Sequence, residues 1–124
     1  MYNFDKLVER KGTDCIKWDM LEKMYTRAKA TDADIVVCAH DGVKLDKKNN
    51  VKKAKLYPIQ NKNVFGKSIY ESPEIMEHIK SYAWNKIYRR EVIAGYKFPK
   101  GQLFEDSAVV YNIVSSATKI DYVD

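Results

Sequence analysis

The sequence predicts an α/β domain, part of a mixed sheet flanked by helices, and three observations carry that expectation. Ile35-Val36-Val37-Cys38-Ala39 is a short, continuous apolar run rich in β-branched residues, as a strand buried on both faces requires. Apolar residues recur at helical spacing from Trp18 to Ala30, just before that run. A second helical pattern, Asp106 to Ser116, leads into a last strand, Lys119 to Val123. The order helix, strand, hairpin, helix, helix, strand describes a portion of an α/β sheet and not a complete doubly wound one.

Taken in order, residues 1–13 are polar and weakly patterned and read as a loose lead-in to one partial domain spanning 1–124. The first helix carries Trp18, Leu21, Met24, Tyr25 and Ala28 on one stripe, with Asp14 and Asp19 favourably placed near its start. Asp41-Gly42 and Lys47-Lys48-Asn49-Asn50 are turn signals, which makes 43–57 an exposed hairpin. Ser72-Pro73-Glu74 reads as a helix start, with Ser as N-cap and Pro at the first helical position. That helix turns Ile75, Met76 and Ile79 inward and ends near Tyr82. A short helix follows over Arg90–Ala94 and stops at Gly95, and Pro99-Lys100-Gly101 is a turn. The helix opened by Asp106 buries Val109, Val110, Ile113, Val114 and Ala117.

At 124 residues the chain is one domain at most, long enough to bury about two-thirds of its unfolded surface. Its 45% apolar and 12% aromatic content demands a packed core and excludes disorder. Cys15 and Cys38 form no C-x-x-C pair, and the longest apolar run is far too short to span a bilayer. Two unpaired cysteines without a signal peptide point to a reducing cytoplasm. The net charge of +5 is concentrated in Lys44, Lys47, Lys48, Lys52, Lys53 and Lys55. A solvated hairpin is the simplest reading of that cluster; phosphates, nucleic acid or an anionic membrane face are the partners it could attract.

The richest stretch runs from Trp84 onwards. It reads Trp84-Asn85-Lys86-Ile87-Tyr88-Arg89-Arg90, then Lys97-Phe98-Pro99-Lys100-Gly101, Phe104-Glu105-Asp106 and Lys119-Ile120-Asp121-Tyr122-Val123-Asp124. In order and spacing this resembles the acceptor-side half of bacterial family 2 glycosyltransferases. The resemblance covers about 14–124. It implies a GT-A-like (nucleotide-diphospho-sugar transferase-like) fold of which the N-terminal nucleotide-binding half is missing. It further implies an inverting hexosyl transfer from a nucleotide-sugar donor to a polysaccharide or lipid-linked acceptor of the cell envelope. The partners expected are that donor and acceptor, with peripheral membrane contact at the inner face and no nucleic acid. The chain alone is expected to be inactive.

The same resemblance assigns the site. It makes Asp106, beside Glu105, the base that removes the acceptor hydroxyl proton, for which a carboxylate must come within about 3 Å of the attacking oxygen. Local features alone read Asp106 as a helix cap, and a helix N-terminus that stabilises the carboxylate also weakens it as a base. Trp84, Asn85 and Lys86 are expected to line the acceptor pocket, Trp84 as a stacking platform and Lys86 as a phosphate or hydroxyl contact. A buried Trp with its indole N–H satisfied by backbone is the competing reading. Arg89 and Arg90 could steer a diphosphate-linked acceptor, or simply lie solvated.

No metal site is expected in this chain. Asp32-Ala33-Asp34 mimics a metal-binding Asp-x-Asp but precedes the wrong strand. Where the family's acidic cluster belongs the sequence has Lys11-Gly12-Thr13-Asp14, and Lys11 would repel a divalent cation. Mg²⁺ or Mn²⁺ is expected only with the donor half. His40 and His78 stand alone and read as structural or surface residues. Two other functions stay open: a non-catalytic module that binds a glycan or a partner, and a small basic nucleic-acid-binding domain suggested by a pI of 9.1.

Overall fold

The computed structural model describes residues 7–9, 15–17, 19–48, 50–101 and 105–124. Lys11 to Asp14, Trp18 and Phe104 lie outside the described residues, and Glu105 is described by its backbone alone. The elements are β1 (Leu7–Glu9), β2 (Cys15–Lys17), α1 (Met20–Thr31), β3 (Ile35–Cys38), β4 (His40–Leu45), β5 (Val51–Tyr57), α2 (Ile75–His78), β6 (Lys86–Tyr88), α3 (Arg90–Ile93), α4 (Glu105–Ser116) and β7 (Ile120–Val123). A 3₁₀ turn, Lys62–Val64, lies between β5 and α2.

A three-stranded mixed sheet, ordered β6-β3-β7, forms the centre, with β3 antiparallel to β6 and parallel to β7. All four residues of β3 are buried, as its β-branched run demands. Because side chains alternate along a strand, Ile35 and Val37 face one layer and Val36 and Cys38 the other. The first layer is the main core: Val109, Val110, Ile113 and Val114 of α4 and Ala117 just beyond it, with Ile75, Ile79, Ile59 and Ile120. The second is smaller: Met20, Met24 and Ala28 of α1, packed with Ile87 and Val123. Arg27 fastens α1 to β7 through the buried carboxylate of Asp121 at 2.9 Å. The result is a mixed α/β arrangement with helices on both faces of a narrow sheet.

Several sequence expectations need correction. Residues 7–9 of the supposed lead-in pair antiparallel with 15–17. Leu21 and Tyr25 are exposed at 55% and 61%, because the three strands offer α1 room for one i, i+4 row, Met20-Met24-Ala28, and not for the whole stripe. Asp41-Gly42 is no turn but part of β4, opposite Leu56 and Lys55. Ser72 caps nothing by its side chain; α2 is a single turn that ends at His78, and Ile79 is already extended. The local N-terminal device sits one turn earlier, where Ser68 and Glu71 exchange side chain-to-backbone hydrogen bonds at 3.2 Å in a capping-box pattern. β6 escaped the sequence reading because three residues beginning with a lysine show neither apolar alternation nor a run.

The remaining turns follow from their residues. Gly95 and Gly101 hold φ of +89° and +74°, closing α3 and the 99–101 turn where a side chain would be strained. The hairpin β4–β5 projects from the end of β3, pairing His40 with Tyr57 at its base and shifting register at Lys44/Leu45.

Candidate functional site

Ligands of open α/β sheets bind outside the carboxyl ends of the strands. Here that end of β3 is where the chain turns through Ala39 into β4, beside the 83–86 loop that precedes β6. A groove of about 320 Å³ opens there, with Ala39, His40, Tyr57, Gln60, His78 and Asn85 among its walls. That volume falls at the small end of ligand sites.

An aromatic rim begins at the His40–Tyr57 wall of the groove and extends beyond its walls to Tyr82 and Trp84. His40 stacks on Tyr57 with centroids 4.8 Å apart and planes 11° from parallel. Tyr82 and Trp84 stack on each other at 5.1 Å and 10°, and both meet the His40 ring nearly edge-on. Trp84 keeps 37% of its surface exposed, so the reading of a buried, backbone-satisfied Trp does not hold. Burial, and next the nearby Lys80 charge, lower the His40 pKa, which leaves a neutral imidazole at neutral pH. Flat rings with polar tips suit a ligand with one apolar and one hydroxylated side.

Asn85 and Lys86 stand behind this rim. Asn85 is buried, donates from Nδ2 to the Cys38 carbonyl at 3.1 Å and accepts from Lys86 Nζ at 2.8 Å. The Lys86 ammonium also donates to the carbonyls of Lys80 and Tyr82, so its three N–H groups are all used inside the protein. Burial pushes its pKa down to about 8. In this arrangement Lys86 holds the 80–86 loop together and is not available to a phosphate. Cys38 is buried with its thiol pKa raised by the same desolvation, as befits a small hydrophobe.

Asp106 lies in the first turn of α4, and its Oδ2 accepts the backbone N–H of Ala83 at 3.4 Å. The carboxylate is thereby joined to the residue that precedes Trp84. It is the second residue of the helix, not its cap, and its partner belongs to another segment. Tyr88 completes the loop, donating from its hydroxyl to the Ala83 carbonyl at 3.2 Å. Burial, reinforced by the Asp106 charge, pushes the Tyr88 phenol up to about 12.

Arg89 does not join this group. It lies past the other end of β6, where its guanidinium pairs with Asp32 at 2.7 Å and Asp34 at 2.9 Å. The carboxylates that mimic an Asp-x-Asp motif are therefore engaged by arginine. Among the described residues no cluster of three or more His, Cys, Asp or Glu side chains gathers to hold a metal. No described helix is long and apolar enough to cross a membrane.

The structure thus brings Trp84, Asn85, Lys86 and Asp106 to one loop and places Arg89 elsewhere. His40, Tyr57 and Tyr82 are rim residues that sequence reasoning passed over. Only the hairpin register could have revealed the first two, since it sets 40 opposite 57.

A chain with this mixed α/β fold and this site also has a sequence relative. It is 30% identical over 122 residues to the cholesterol galactosyltransferase of Borreliella burgdorferi, a match covering 91% of this chain. The chain is in that measure glycosyltransferase-like, although it spans only 34% of the length of that relative. No family model matches the chain.

Proposed function

We propose that this chain forms the acceptor-side part of a family 2 glycosyltransferase with a GT-A type fold. The observation that carries the reading is the hydrogen bond from Ala83 to Asp106, which sets a carboxylate beside a loop whose next residue is an exposed, stacked tryptophan. The relative's name supports the reading and joins galactosyl transfer to a sterol, so a glycan or lipid-linked acceptor fits the rim.

In this proposal Trp84, with Tyr82, supports the apolar face of the acceptor, and Asn85 fixes the loop that presents it. Asp106 takes the proton from the acceptor hydroxyl as its oxygen attacks the anomeric carbon of a nucleotide-sugar. The bond from that carbon to the nucleotide diphosphate breaks on the opposite face, and the configuration inverts. Glu105 is the neighbouring acid. Mg²⁺ or Mn²⁺ would act on the donor diphosphate, away from the described residues of this chain, and the reaction would take place on the cytoplasmic side of a membrane.

An NMR titration of the chain with soluble galactosides and with a water-soluble sterol tests the acceptor site. The expected result is ring shifts at Tyr57, Tyr82 and Trp84, with binding at least about tenfold weaker in Trp84→Ala, the loss of one stacked aromatic. Shifts confined to other surfaces, or an unchanged affinity in Trp84→Ala, would remove the site from this loop.

A further inference from the structure

The β4–β5 hairpin has two unlike faces, and its register separates them. Residues directly opposite in an antiparallel pair share a face. Val43 pairs with Ala54 and Asp41 with Leu56, which puts Val43, Leu45, Ala54 and Leu56 on one side, together with Asp41 at the base of the hairpin. All four are exposed, Leu45 at 46% and Leu56 at 64%. The other side carries Lys44 opposite Lys53 and Lys55 opposite Gly42, while Lys47, Lys48 and Lys52 surround the tip.

Charge identifies what this surface meets. Within 40–57 six exposed lysines stand against Asp41 and Asp46. The Asp46 carboxylate is already occupied by the backbone N–H groups of Lys48 and Asn50 at 2.8 and 2.9 Å, which shape the tip. A nucleic acid would answer the lysines but leave the leucine face wet. An anionic bilayer answers both, since its acyl boundary takes apolar side chains while its headgroups attract lysines.

We propose that the β4–β5 hairpin is a membrane-docking element that lays Val43, Leu45 and Leu56 into the interface of an anionic bilayer while its lysines engage the headgroups. The base of the hairpin is the His40–Tyr57 stack, which abuts Tyr82 and Trp84. Because successive pairs alternate between faces, this stack lies on the lysine side of the hairpin. The docking does not depend on the transferase reading and is tested without it.

The test is co-sedimentation of the chain with vesicles of phosphatidylcholine alone and of phosphatidylcholine mixed with phosphatidylglycerol, at low and moderate salt. Binding is expected to the mixed vesicles, to weaken with salt, and to be far weaker on phosphatidylcholine alone. Changing Lys47, Lys48, Lys52 and Lys53 to Ser should weaken binding about fivefold per lysine that reaches the surface. Leu45→Ser with Leu56→Ser should weaken it at least about tenfold, and circular dichroism should show both variants folded as the parent. Failure of the parent to bind mixed vesicles overturns the proposal. So does unaltered vesicle binding by the leucine variant, which would reduce the hairpin to bare positive charge of the kind RNA also attracts. Loss of a dimer in the leucine variant, without any vesicle binding by the parent, would assign the face to a second copy of this chain.

Discussion

Asp106 accepts the backbone N–H of Ala83 at 3.4 Å, across 23 residues of sequence. The contact ties the first turn of α4 to the loop that leads into β6, and so to the carboxyl end of the central strand. The contact uses one of the roughly four hydrogen bonds that an ionised Asp can accept, so the carboxylate keeps lone pairs to spare. The same carboxylate can therefore anchor the loop and still take a proton from a substrate.

That dual role separates two substitutions. Asp106→Asn keeps an oxygen that can accept from Ala83, so the melting temperature should stay close to that of the parent. Asp106→Ala leaves the Ala83 N–H without this partner and should cost about 1 kcal/mol. In any form of the protein that transfers sugar, Asp106→Asn should slow turnover about 10²–10⁴-fold, because amide replaces base. Normal turnover by Asp106→Asn would reduce the residue to a loop anchor.

Lys86 and Tyr88 make stability depend on alkaline pH in opposite senses. Burial lowers the Lys86 pKa from 10.5 to about 8, so between those values the unfolded chain binds the extra proton. Stability must then rise with pH over that window, with a slope of at most roughly 1.4 kcal/mol for each step of one in pH. Burial raises the Tyr88 pKa from 10.0 to about 12, so there the folded chain holds the extra proton and stability falls as pH climbs from 10 to 12. Urea melts across this range should show a maximum near pH 10 from these two groups. Lys86→Met should flatten the rising limb and Tyr88→Phe the falling one. A stability that declines steadily from pH 8 in the parent would contradict the burial of Lys86.

What the sequence revealed, and what it hid, divides along the range of the forces involved. β3 and the buried face of α4 were legible because their apolar periods are local and long. That Asp106 meets the loop before Trp84 was not legible locally, since nothing between them in sequence predicts a hydrogen bond across 23 residues; the roles given to both residues come from resemblance. The fate of Lys86 was hidden for the same reason. Its ammonium looks like a ligand for phosphate until the carbonyls of Lys80 and Tyr82 are folded around it. α2 was overextended because the pattern at Ile75, Met76 and Ile79 suits a helix, yet those two carbonyls are needed elsewhere. His40 looked solitary because its neighbours Tyr57 and Tyr82 arrive from other segments.

A second network braces the opposite end of β6. Asp34 Oδ1 meets Arg89 at 2.9 Å, while its Oδ2 accepts the Thr118 N–H at 2.7 Å and the Thr118 hydroxyl at 2.8 Å. One half-buried carboxylate thus joins the entry to β3, the exit from β6 and the turn before β7. Asp34→Ala leaves the Thr118 N–H and the guanidinium without this partner and should cost about 1–3 kcal/mol. Asp32→Asn removes only a solvent-exposed ion pair and keeps a residue type that tolerates the left-handed φ of +53° at this helix end, so it should cost far less. Burial alone would raise the Asp34 pKa, but the Thr118 hydrogen bonds and the Arg89 charge outweigh it and hold the group below its ordinary 3.8. Its contribution is therefore complete above that value and lost as pH falls through the lower folded one. Acid melts should show this loss in the parent and not in Asp34→Asn. Arg89→Ala should lower the melting temperature as well, yet leave ligand shifts at Tyr82 and Trp84 unchanged, because Arg89 braces the far end of the strand. If Arg89→Ala instead weakens ligand binding at undiminished stability, Arg89 belongs to the acceptor site after all.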